Sequence, residues 1–70
     1  MKNIPKFIGR RIAAERKKQK ISQELLAELA DLHPNYIGTV ERGEVNLGVQ
    51  NLYKIALALN IKMEVLFRNI

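Results

Sequence analysis

Apolar residues recur along the chain at spacings of three and four, and no stretch alternates apolar with polar residues as a half-buried strand does. Its punctuation consists of Pro5, Gly9, Pro34, Gly38, Gly43 and Gly48, with no repeat, low-complexity tract or linker between them. The pattern predicts an all-α fold, a compact domain of five helices. A first helix is expected from about Lys6 to Lys18, where Ile8 and Ile12 share a face with Phe7 beside them, while Arg10 and Lys17 fall opposite. Continuing the Ile8–Ile12 row by four reaches Arg16. A charge on a row that faces the core needs a buried partner.

Ser22 has the chemistry of an N-cap, so a second helix is expected over Gln23–Ala30, with Leu25, Leu26, Leu29 and Ala30 in its apolar pattern. Asp31-Leu32 makes a short break. His33 stands near the next cap and Pro34 in the first turn, where a missing N–H costs nothing. The third helix runs to about Arg42, buries Ile37 and Val40, and stops at Gly43. After Glu44-Val45-Asn46-Leu47, Gly48 opens a fourth helix, Val49–Leu59, with Leu52, Ile55, Ala56 and Leu59 as its stripe and Asn60 as its end. A short fifth helix, about Lys62 to Arg68, places Met63 and Leu66 to complete the core.

Length changes the picture. A domain of 70 residues buries only about 60% of its unfolded surface and is marginal without an addition. The chain has no cysteine and one histidine, which removes disulfides, thiolate sites and a metal cluster and leaves oligomerisation. No apolar run approaches the roughly 18 residues of a membrane span, and Met-Lys-Asn-Ile-Pro does not open a secretory signal. A cytoplasmic protein is expected, with no cofactor and no small-molecule pocket.

Charge is uneven. Eight basic residues against Glu15 give the first twenty positions a net +7, and the remaining fifty carry a net −2. A basic end on a mildly acidic body points to a polyanion. A membrane surface is the weaker choice, because the Ile8–Ile12 stripe is needed for the core. Catalysis fails on inventory: no catalytic residue can be named in a chain with no cysteine, one histidine, no phosphate-cradling loop and no paired carboxylates.

Two short helices joined by a tight break follow the helix-turn-helix plan, whose second helix offers its N-terminal side chains to base edges in the major groove. Over residues 23–42, Ala27 is small where the helices cross, Leu26 and Ala30 point inward, and Asn35, Tyr36, Thr39 and Arg42 stand on one outer face without balancing carboxylates.

The chain resembles the phage repressor and Cro class of helix-turn-helix proteins, the xenobiotic-response-element type. The resemblance covers roughly residues 8–67 and is carried by I-S-Q-E-L-L-A at 21–27, N-Y-I-G-T-V-E-R-G at 35–43 and N-L-Y-K-I-A-L-A-L at 51–59. The short chain also resembles the controller proteins of restriction-modification systems. The resemblance implies that Arg16 pairs, buried, with Glu41. It implies that Gln23 and the helix start beneath it face a phosphate, and that Asn35 and Thr39 read bases. Pro34 replaces a frequent base-reading side chain and is left with apolar contact; Tyr36 and His33 flank the reading surface. Arg42 and Asn46 match positions that approach phosphates. Lys17, Lys18 and Lys20 form a solvated basic end that steers DNA, with Lys20 counted on the phosphate side. Three departures stand out: Asp31 where the class often has glycine, Leu47-Gly48 in place of Pro-Ser or Pro-Thr, and an apolar Val65 at a position that is usually polar.

Val65, Phe67 and Ile70, with Tyr53, exceed what one short helix can bury alone, so a homodimer interface is expected there. The function expected is a sequence-specific transcriptional regulator acting on a double-stranded operator, with RNA polymerase as a further candidate partner and the nucleoid as its place of work. The competing class is a small antitoxin-type module that binds a protein partner through Tyr53, Leu57 and the C-terminal residues.

Overall fold

The computed structural model describes residues 3–70 and contains five helices: α1 Ile4–Lys18, α2 Gln23–Ala30, α3 Pro34–Glu41, α4 Val49–Ala58 and α5 Met63–Leu66. Among these residues there is no strand. Helix α1 begins two residues earlier than the periodicity predicts, because the Asn3 side chain accepts the amide of Lys6 at 3.1 Å and Pro5 sits in the first turn, where its missing donor is not used. Helix α5 is shorter than expected: Lys62 is its N-cap and Phe67 its C-cap.

Side-chain caps set the helix-turn-helix. Ser22 accepts from the Leu25 amide at 3.0 Å, and His33 Nδ1 accepts from the Asn35 amide at 3.0 Å. Between them Asp31 takes the left-handed conformation, φ 57° and ψ 47°, and the Leu32 amide reaches back to the Ala27 carbonyl at 2.9 Å. Aspartate is one of the few residues that tolerate this region, so the turn keeps the geometry a glycine would give it. Gly43 adopts φ 73° directly after α3, and any Cβ there would also strike the backbone of Lys6.

The core comprises Ile8 and Ile12 of α1, Leu26, Ala27 and Ala30 of α2, Ile37 and Val40 of α3, Leu52, Ile55, Ala56 and the C-cap Leu59 of α4, and Leu66. Helix α3 packs on both α1 and α2, while α4 packs on α2 and α5. Two expectations need correction. Leu25 and Leu29 are 39% and 56% exposed, because the flank of α2 that faces its neighbours is the Leu26–Ala27–Ala30 side. Gly9 and Gly38 do not punctuate the chain; both lie buried inside helices.

Candidate nucleic-acid interface

Helix α3 lies with Ile37, Gly38 and Val40 inward, which leaves His33, Pro34 and Asn35 exposed at its start and Arg42 exposed at its end. The helix is anchored beneath by an ion pair. Arg16 Nε stands 2.7 Å from Glu41 Oε2 and Nη2 stands 3.1 Å from Oε1, with the two side chains only 12% and 7% exposed. Arg16 also donates to the Ile21 carbonyl at 2.9 Å, and Gln23 donates to Glu41 Oε1 at 2.9 Å. Hydrogen bonding to Glu41 holds the Arg16 pKa above the ordinary arginine range, against an opposing effect of burial. This fork geometry satisfies both ions, the condition under which a buried pair is tolerated. The charge that broke the apolar row of α1 therefore meets a partner on α3.

The expected reading face is not uniformly free. Thr39 Oγ1 donates to the Tyr36 carbonyl at 2.7 Å, which leaves the hydroxyl as an acceptor beside its methyl group. Tyr36 is half-buried against the core, and its hydroxyl accepts from Asn51 at 3.1 Å, tying it to the first turns of α4. His33 serves as the cap of α3. The side chain of Asn35 makes none of the hydrogen bonds found among the described residues. Arg42 does not stand without a balancing carboxylate: its Nε lies 3.0 Å from Glu44 Oε2, and this exposed pairing raises its pKa. The signal was the i, i+2 spacing across the Gly43 turn.

On the backbone side, Gln23 is committed through its amide to Glu41, and the Leu25 and Leu26 amides of the first turn of α2 are taken by Ser22. Lys20, at φ 59°, and Asn46, in the loop before α4, are both exposed. A groove of about 490 Å³ runs between α1, the start of α2 and the end of α3, lined by Arg10, Ala14, Lys17, Gln23, Glu41 and Arg42 among others.

Away from that face, Val65 is half-buried while Phe67, Ile70 and Tyr53 are 45%, 37% and 55% exposed. Val49 and Leu57 extend Tyr53 into a row spaced by four on α4. Composition alone missed Arg11. Its guanidinium donates to the Val65 carbonyl and, at 3.2 Å, to the Arg68 carbonyl, while lying 5.5 Å from the centre of the Phe7 ring. A second long-range cap, Gln19 Nε2 to the Leu59 carbonyl at 2.6 Å, closes the end of α4. No described helix is long and apolar enough to cross a membrane.

A helix-turn-helix family profile matches residues 12–66. The chain is 40% identical to the control protein C.SmaI of Serratia marcescens over 58 residues, covering 83% of this chain and 69% of that one. It is 35% identical to the control protein C.MunI of a Mycoplasma species, covering 100% of this chain and 96% of that one. The crystal structure of the restriction-modification controller protein C.AhdI from Aeromonas hydrophila superposes with a TM-score of 0.88 at 40% identity, covering 90% of this chain and 96% of that chain.

Proposed function

We propose that this chain, which belongs to the xenobiotic-response-element class of helix-turn-helix DNA-binding regulators, grips a palindromic operator as a homodimer with α3 of each protomer in the major groove. One observation carries the proposal. Among the described residues the Asn35 side chain makes no hydrogen bond, and it stands in the first turn of a helix that the Arg16–Glu41–Gln23 network locks to α1 and α2. Pre-organisation of this kind lets a bidentate amide discriminate adenine by about 1–3 kcal/mol. Thr39, with its proton committed inside the helix, accepts from a base amino group or meets a thymine methyl. Pro34 offers apolar contact, and Tyr36 and His33 border the surface they help to shape. Arg42, Asn46, Lys20 and the start of α2 at Gln23 face the phosphates.

The exposed Tyr53, Phe67 and Ile70 and the half-buried Val65 form the dimer contact, joined by Val49 and Leu57. Two-fold pairing sets the recognition helices about 34 Å apart, one per half-site. The similarity to control proteins of restriction-modification systems supports an operator at the promoters of such a system. RNA polymerase is the partner at those promoters, and the nucleoid is the place of work. The exposed α4 row is the observation that favours a second reading, in which a different protein covers the same surface.

Selection of the purified protein against random duplexes of about 30 base pairs tests the proposal. An enriched inverted repeat with half-sites about one turn apart supports it. A pool that binds at low salt without enrichment reduces the protein to a charge-driven binder and overturns it.

A further inference from the structure

We infer that Arg10 and Lys17 of α1 form a second phosphate-binding edge, which carries a DNA strand across the groove beside the helix-turn-helix. The inference rests on the DNA-binding reading above and extends it to a helix that so far only supports the recognition unit. The two residues are seven apart, two turns along one face, and both are exposed. Between them Ala13 and Ala14 keep the floor of the groove low, and Gln23 and Arg42 form its far side. The groove is therefore continuous with the backbone-facing residues of α2 and α3.

Its charge is unbalanced in favour of an anion. The one carboxylate at its base, Glu41, is consumed by Arg16 and Gln23. Arg42 shares its charge with Glu44. Among the described residues three ion pairs form, Arg16–Glu41, Lys18–Glu15 and Arg42–Glu44, and none engages Arg10 or Lys17. Two free cations therefore flank an open groove whose own acid is neutralised, with the positive end of the α2 dipole at its border. A continuous row of phosphates fits this edge, since it meets separate cations along a groove without requiring an enclosed pocket. Such contacts orient a protein on the duplex and carry no sequence information.

The test is the salt dependence of binding by fluorescence anisotropy, from roughly 50 to 200 mM salt, on the selected operator and on a random-sequence duplex. The chains compared are wild type, Arg10→Gln, Lys17→Gln and, as a control for charge alone, Lys62→Gln. Each groove variant is expected to flatten the slope of log K against log salt by about 0.9 per protomer on DNA, equally on both duplexes, while Lys62→Gln leaves the slope unchanged. Groove variants with the slope of the control overturn the inference. So does loss of co-sedimentation with phosphatidylserine vesicles when the DNA slopes stay intact, an outcome that gives the groove to a membrane surface. Failure of the wild type to prefer any operator strikes the parent reading instead, because the slopes on the random duplex still report the groove.

Discussion

Gly9 faces the Val40 carbonyl so closely that a methyl group on it would overlap that oxygen and stand 2.8 Å from the carbonyl oxygen of Glu41. Helices α1 and α3 thus cross with backbone against backbone, and the recognition helix is seated at the one position of α1 that has no side chain. Gly9→Ala gains helix propensity of about 0.5–1 kcal/mol. It must also displace main-chain atoms, an overpacking cost of about 1–3 kcal/mol. The variant is expected to unfold at lower urea concentration than wild type. A midpoint at or above the wild-type value would show that the crossing is looser than described.

The Arg16–Glu41 pair makes a second expectation. Arg16→Met leaves Glu41 nearly buried with only Gln23 as a donor, at a cost of about 3–5 kcal/mol. Arg16→Met combined with Glu41→Leu removes both ions, and its loss should fall below that of Arg16→Met alone. Because the Arg16 pKa is raised on folding, its stabilisation is fully present below the ordinary arginine range and is lost only above it. The arginine therefore adds no pH dependence near neutrality. Denaturant unfolding of wild type, Arg16→Met, Glu41→Leu and the double variant measures the coupling, and strictly additive losses would contradict a shared network.

In the proposed complex Asn35 reads bases and Arg42 holds the backbone, and two substitutions separate these roles. Asn35→Ala should relax preference at one base position per half-site, while Arg42→Ala weakens all sequences alike and lowers the salt slope by about one. Glu44→Gln should act in the opposite direction to Arg42→Ala, since it releases the Arg42 guanidinium and removes a like charge from the phosphates. Binding selections and salt titrations on the three variants separate these effects. Equal losses at every site for both alanine variants would refute the division.

The C-terminal surface gives the last expectation. Phe67→Asp places a charge at the centre of the proposed dimer contact and should sediment as an 8.0 kDa monomer with its helical circular dichroism intact. Arg11→Met should weaken the dimer less, since Leu66 stays buried while the carbonyls of Val65 and Arg68 lose their donor. A helix of four residues has little stability of its own, so its direction depends on such ties. A wild-type sedimentation profile for Phe67→Asp would rule out this surface.

Local rules made much of the architecture legible. Ser22, Pro34, Gly43 and Asn60 act within a few residues of themselves, and the helix-turn-helix segment could be bounded to within a residue from them. Arg16 was visible as an anomaly, a cation on an apolar row, because a buried charge without a partner is too costly to keep. Its partner came from resemblance, and only the tertiary arrangement displays the fork and the third member, Gln23.

Other features depend on which surfaces meet. Leu25 and Leu29 satisfy the apolar periodicity of α2 as well as Leu26 and Ala30 do, yet α2 has covered neighbours on only one flank. Tyr36 reads as a free aromatic on the outer face until α4 brings Asn51 against its hydroxyl. Arg11 reads as one cation among eight until the chain returns 54 residues later and offers it the Val65 carbonyl. The sequence by itself determined the order of the helices, the caps of the helix-turn-helix and the family of fold, since these follow from side-chain spacing and local hydrogen bonding. Local partners commit His33, Thr39 and Arg42, but that Arg11, Gln19, Gln23 and Tyr36 are spent on the protein was decided by tertiary structure, because their partners lie 15 or more residues away along the chain.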